Sequence, residues 1–202
     1  MTSRSFIVIK MIKMKFRSIG AIATCMFLGA TLFFSCDSSV GSNNKKENYD
    51  SLFLGFHFGM DRKEFFRYCA EMNQKKLFAH GTGATSVQYE LKNEFKAPVI
   101  MRFYPSFHEE KIYEMPVTFT YEAWAPWNKQ YWSDVLLEEM YEQFKIWYGD
   151  DFQVINHPNQ GKVYAKIDGR RRINLFIRDD QFVQAVFSDM KVITELEKQK
   201  EN

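Results

Sequence analysis

A chain of 202 residues accommodates one ordinary domain with accessory segments, and its 46% apolar and 26% charged residues are typical of a globular protein. The formal net charge is +2, but five of the 27 bases and none of the 25 acids precede Cys36, which leaves 22 bases against 25 acids, a net charge of −3, from Cys36 onward. That balance argues against a nucleic-acid partner, because nucleic-acid binding needs a clustered excess of Lys and Arg.

Residues 1–35 have the composition of a bacterial signal peptide. The positive charges lie within residues 1–17, and an uncharged apolar run from Ile19 to Phe34 follows them. This run is shorter than the roughly twenty residues of a membrane-spanning helix, so a cleaved leader is favoured over a retained anchor. A plain secretory signal is the remaining alternative.

The segment LFFSC at residues 32–36 resembles the lipobox of bacterial lipoproteins. In that family a small residue, here Ser35, precedes a cysteine that is diacylated and becomes the new N-terminus. Phe33 replaces the leucine that the family usually has three residues before the cysteine. The resemblance implies a lipid anchor at Cys36 in the inner or outer membrane of a bacterial cell envelope, with the domain facing the periplasm or the cell surface.

Residues 36–50 are predicted to form a disordered tether after the lipidated cysteine. The segment from Asp37 to Asp50 reads DSSVGSNNKKENYD and has almost nothing to bury. Fully extended, it reaches about 45 to 50 Å, which is enough to hold a domain clear of lipid headgroups.

Helical patterns begin at two places after the tether. Asp61 and Glu64 have the spacing of a capping box, so we expect a helix from there to about residue 74. A second helix is expected from about Asn128 to Tyr148, where an apolar stripe is followed by Gly149. A short helix or tail is expected within residues 191–202.

Stretches of alternating apolar and polar residues predict strands between and after these helices. Pro116 indicates an edge strand or a bulge, and Asp168-Gly169 is typical of a tight hairpin. The expected strands are Thr85–Leu91, Val99–Tyr104, Ile112–Ala123, Phe152–Ile155 or Val163–Ile167, Ile173–Ile177 and Phe182–Phe187.

Together these elements predict an α+β fold for residues 51–190. It consists of two successive units, 51–125 and 126–190, each with one helix followed by three strands. The simplest arrangement is a curved antiparallel sheet with both helices packed on one face and the other face partly open.

The stretch from Gly55 to Phe65, which reads GFHFGMDRKEF, resembles the strand-to-helix opening of small cell-envelope domains of the BLIP-like and BamE-like kind. Those domains place helix-plus-strands units around a concave sheet. The resemblance implies a scaffold for binding or assembly and not an enzyme.

Chemical motifs are absent from the sequence. The four histidines are scattered over different predicted elements, and none has the two-histidine helical spacing of zinc proteases. Cys69 lies on the apolar stripe of the first predicted helix, and no serine lies in a Gly-x-Ser-x-Gly elbow. The sequence therefore predicts no metal, no cofactor and no catalytic residue, and a hydrolytic enzyme is the least favoured function.

The polar face of the sheet is the candidate binding surface, because strand alternation concentrates basic and aromatic side chains there. We expect a protein or glycan partner on this face. One alternative is an ordinary solvated sheet face, and another is a carrier that encloses an apolar or lipid-like ligand in the aromatic core. Alternation places Lys162 on this face too, with Val163 and Ile167 directed to the core, and the candidate partner-binding residues are Arg102, Tyr104, Tyr164, Lys166, Arg172, Phe176 and Arg178.

Overall fold

The structure, a computed structural model, describes residues 49–81 and 86–201. The predicted signal peptide, the lipidation site Cys36 and nearly all of the tether lie outside the described residues, as does the start of the predicted strand at Thr85. No helix in the described ranges is both long enough and apolar enough to cross a membrane.

The described residues form an α+β fold with three α-helices and nine strands. The helices are α1 (Arg62–Gln74), α2 (Ser133–Tyr148) and α3 (Met190–Glu201). The strands are β1 (Ala79–His80), β2 (Val87–Leu91), β3 (Val99–Phe103), β4 (Ser106–His108), β5 (Lys111–Tyr121), β6 (Gln153–His157), β7 (Gly161–Asp168), β8 (Arg171–Ile177) and β9 (Val183–Asp189).

The helix boundaries follow local chemistry. The Asp61 carboxylate accepts a hydrogen bond from the Lys63 N–H at 2.8 Å and caps α1, as the sequence predicts. Gly149, with φ of +95°, ends α2 at the predicted position. The second helix starts later than expected, because Trp132 is extended and separates a 3₁₀ turn at residues 129–131 from α2.

All the strands pair antiparallel in one open sheet with the order β1-β2-β3-β5-β9-β8-β7-β6, and β4 also pairs with β5. Every predicted strand is present, and the two alternatives after Gly149 are both strands, β6 and β7. The repeat of helix plus three strands is not confirmed, because five strands follow α1 and four follow α2. The two halves of the chain join where β5 pairs with β9.

The core lies between α2 and one face of the sheet. Leu136, Met140 and Phe144 on α2 are fully buried, and the Phe144 ring lies 6.1 Å from the rings of Phe119 on β5 and Phe187 on β9. Burial of these side chains is the main favourable contribution to folding, at about 1.5 to 3 kcal/mol each.

The opening segment, residues 51–60, is a folded loop that completes the core at the α1 end. Leu52, Phe53, Phe56, Phe58 and Met60 are buried, and one antiparallel bridge between Ser51 and His57 closes the loop. This segment forms no regular strand, unlike the strand-to-helix opening that the resemblance implies.

Gly55 makes the turn of this loop possible. Its φ is +88°, and a Cβ there would lie 2.8 Å from Tyr68 Oη, which donates a hydrogen bond to the Leu54 carbonyl at 2.8 Å. Both the backbone conformation and the close approach require glycine.

Candidate functional site

The sheet face opposite α2, here called the second face, brings together part of the predicted binding surface. Directly paired residues of an antiparallel sheet share a face, and alternation along each strand assigns the rest. Arg102 and Arg172 therefore lie on the second face, and Arg178 follows β8 on the same side. The row that defines the face, from β2 to β7, is Gln88, Arg102, Thr118, Gln184, Phe176 and Val163.

A shallow depression of about 260 Å³ on this face is the candidate binding site, and we call it the Arg102 depression. Polar and aromatic groups surround a floor made by the buried Ile100 and Thr120. The residues around that floor are Gln88, Arg102, Glu122, Trp124 and Gln181.

Hydrogen bonds fix the rim of the Arg102 depression. The Trp124 indole Nε1 donates to the Asp180 carbonyl at 3.3 Å, and the Ser133 N–H donates to the same carbonyl at 3.0 Å. The Asp179 carboxylate accepts from the Gln181 N–H at 3.0 Å. The turn between β8 and β9 is thus attached to the start of α2, which holds Gln181 and Trp124 in place.

Arg102 is the charged centre of this site. Its Nε donates to Gln88 Oε1 at 3.3 Å, and no carboxylate within the described ranges pairs with it. The guanidinium is half-buried, and two amide side chains, an indole and the Glu122 carboxylate line the same depression. Such a group can bind one carboxylate or a similar planar acceptor through two parallel hydrogen bonds.

The predicted orientation of β7 is wrong. Tyr164 is 2% exposed, stacks on Tyr141 of α2 with ring centroids 3.8 Å apart, and donates to the Glu138 carboxylate at 3.1 Å. Lys162 binds the same carboxylate. Val163 and Ile167, predicted to point to the core, lie on the second face, where Ile167 is 64% exposed.

Lys166 also points to the helix side, where it belongs to a buried ion network. Its Nζ contacts the carboxylates of Asp151 and Asp168, and Asp168 also binds Arg171 at 2.8 Å. Burial alone lowers the pKa of Lys166, but these two carboxylates outweigh it and raise the pKa. Lys166 is therefore a structural residue whose charge is already compensated.

Two further predicted residues are poorly placed for a partner. Tyr104 follows β3 and packs against the rings of Phe65 and Phe107 at 5.9 and 6.4 Å, beside α1. Phe176 does lie on the second face but is only 7% exposed. Arg102, Arg172 and Arg178 remain as the predicted residues that a partner can reach.

The Arg102 depression also includes residues that the sequence did not indicate. Gln181 and Trp124 lie in connections between predicted elements. The hydrogen bond from Trp124 to Asp180 spans 56 residues of sequence. No local pattern in the sequence indicates such a contact.

The other reactive groups do not form a second site. Burial raises the pKa of the Cys69 thiol to about 11, which disfavours the nucleophilic thiolate. Within residues 49–81 and 86–201, no three His, Cys, Asp or Glu side chains are grouped as metal ligands.

An apolar depression of about 370 Å³ lies at the surface beside α1, lined mainly by Phe66, Cys69, Phe78 and Val87. The carrier alternative instead places a ligand between helices and sheet. That region holds closely packed rings, such as Phe144 against Tyr148 at 5.3 Å and Phe187 against Tyr148 at 5.5 Å.

Comparison with known proteins adds no relative. No protein-family model matches the chain, and neither the curated proteins nor the solved structures give a match.

Proposed function

We propose that this chain is a non-enzymatic, lipid-anchored protein of the bacterial cell envelope that binds an acidic segment of a protein partner through the second face of its sheet. The anchor is Cys36, and the domain faces the periplasm or the cell surface. The observation that supports binding on this face is the distribution of unpaired arginines.

Seven arginines lie in the described residues, and five of them form ion pairs with carboxylates: Arg62, Arg67, Arg170, Arg171 and Arg178. The two that have no such pair in those ranges, Arg102 and Arg172, both lie on the second face. Arginines that lack a carboxylate of their own favour a partner that supplies one, because a carboxylate accepts two parallel hydrogen bonds from the guanidinium.

The spacing of these arginines favours a macromolecule over a small ligand. Three strand steps and four residues separate Arg102 from Arg172, so the two backbones are about 19 Å apart at 4.8 Å per strand and 3.3 Å per residue. A partner that reaches both must extend across the sheet. Arginine is also among the residues that most often carry binding energy at protein interfaces.

The lipid anchor makes the first testable prediction. Full-length chain expressed in a bacterium should carry the mass of acyl groups, and an inhibitor of lipoprotein signal peptidase should cause a longer precursor to accumulate. In Cys36→Ala the acyl mass should disappear, because the thiol that is modified is gone. Intact mass spectrometry of the purified chain measures both effects.

Cys25→Ala is the matched control, since it removes the other cysteine of the leader and should retain the acyl mass. An unmodified Cys36 in the parent chain would disprove the anchor. That result would leave a secreted domain or an uncleaved helix, and it would not affect the argument for the Arg102 depression.

Partner binding makes the second prediction. A photo-crosslinking amino acid at Gln181 in the full-length chain should capture a partner in cells, and Arg102→Ala should reduce capture at least tenfold, because a buried Arg–carboxylate contact contributes about 2 kcal/mol or more. Immunoblotting measures the captured fraction, and mass spectrometry identifies the partner.

Arg67→Ala is the matched control, because Arg67 is an exposed arginine of α1 that pairs with Glu71 at 3.2 Å. It should leave capture unchanged. Equal capture by Arg102→Ala and the parent chain would contradict the proposed site. If the mass added by crosslinking remains after protease digestion but is lost after periodate treatment, the partner is a glycan and not a protein.

A further inference from the structure

Strand β6 forms an unprotected edge of the sheet. All five of its residues are exposed, including Val154 at 57% and Ile155 at 47%, which lie on opposite faces. One side of β6 pairs with β7, and no strand of the described residues pairs with the other side. Every second residue therefore directs its backbone N–H and C=O away from the sheet.

The other edge strands of the described sheet, β1 and β4, are protected against pairing with a further strand. β1 contains two residues, and β4 contains three with a register shift between Ser106 and Phe107. Short strands and bulges are two of the devices by which proteins prevent pairing at an edge. β6 has neither, and its sequence QVINH contains no proline, lysine or acidic residue.

We propose that β6 pairs with β6 of a second copy of this chain, antiparallel, to make one continuous sheet across a two-fold axis. A symmetric interface uses the same surface on both copies, so the strand must tolerate itself as a neighbour. β6 meets this condition because it carries no formal charge, and like charges placed opposite each other destabilise strand pairs.

Symmetry restricts the register. A two-fold axis perpendicular to the sheet keeps the helix-bearing faces of both copies on the same side, so residues of one face must pair with residues of that face. With the axis at Ile155, Ile155 faces its own copy, Val154 faces Asn156, and Gln153 faces His157. Both exposed aliphatic side chains of β6 then lose contact with water, which favours association.

The interface is small compared with the roughly 1,200 to 2,000 Å² that a stable interface buries, so the dimer is expected to be weak in dilute solution. It forms more readily where both copies are held at one membrane, because confinement raises their effective concentration. Crosslinking of the full-length chain in cells is therefore the appropriate test. The confinement rests on the proposed lipid anchor, whereas the proposal does not depend on the Arg102 depression.

Ile155→Cys should give a disulfide-linked dimer in intact cells after mild oxidation. Directly opposed residues of an antiparallel pair have Cα atoms 4.5 to 5.5 Å apart, which is within the range that a disulfide spans. We expect the dimer fraction on a non-reducing gel to be at least fivefold above that of Ile167→Cys. Ile167 is the matched control, since it is exposed on the same face but lies on β7.

Val154→Cys should crosslink less than Ile155→Cys, because in this register it faces Asn156. Stronger crosslinking at Val154 than at Ile155 would still support the β6 interface but would move the axis by one residue. Equal dimer fractions for Ile155→Cys, Ile167→Cys and the parent chain would overturn the proposal.

Discussion

Replacing Arg171 with alanine should lower the free energy of unfolding by about 3 kcal/mol, because it removes one of the two cations that pair with the largely buried Asp168 carboxylate and the donor to the Ser51 carbonyl. The Arg171 guanidinium donates to Asp168 at 2.8 Å and to the Ser51 carbonyl, and it lies over the Tyr148 ring at 5.1 Å. The two ionised side chains are only 7% and 10% exposed. Urea denaturation of the purified full-length chain measures the loss.

Arg178→Ala is the matched control, because Arg178 also pairs with a neighbouring aspartate, at 3.0 Å, but both side chains are more than 40% exposed. It should cost about 1 kcal/mol or less. Similar losses for Arg171→Ala and Arg178→Ala would mean that the buried pair contributes no more than a surface pair.

The sequence predicts those elements whose signals are local. The Asp61 cap and the Gly149 stop depend on side chains within one helical turn, and both are observed. The strand pattern of β8 is also local, and Arg172 lies on the second face as predicted. The α+β class and the antiparallel sheet follow from such signals.

The predicted orientation of β7 was wrong because the side chains on both of its faces contain apolar groups. The Tyr164 ring and the aliphatic stem of Lys166 pack on the helix side, while Val163 and Ile167 point the other way. Lys166 is buried through ion pairs with Asp151 and Asp168, which a hydrophobic pattern does not reveal. The orientation of such a strand depends on partners that are distant in sequence.

Only part of the Arg102 depression can be predicted from the sequence, because the rest depends on contacts between residues that are distant in the chain. Arg102 has the alternation of an exposed strand residue, so the sequence indicates it. Gln181 and Trp124 enter the site only because the turn after β8 is bonded to the segment that precedes α2. The edge exposure of β6 was equally inaccessible, since it follows from the strand order of the whole sheet.

Phe56→Ala should cost about 3 to 5 kcal/mol of unfolding free energy, because it removes a fully buried ring that the opening segment contributes to the core. Phe56 is 1% exposed, and five rings lie within 6.0 Å of its own. These rings belong to the opening segment itself, α1, β3 and the chain between α1 and β1. The alanine therefore leaves a cavity that rigid neighbours cannot fill.

Phe66→Ala is the matched control, because Phe66 lies on α1 at 49% exposure, and it should cost about 1 kcal/mol or less. Urea denaturation of both full-length variants gives the comparison. A small loss for Phe56→Ala would mean that residues 51–60 are an accessory arm and that the independent core begins at the Asp61 cap. A large loss would mean that residues 51–60 belong to the core and that the folded domain begins before the Asp61 cap.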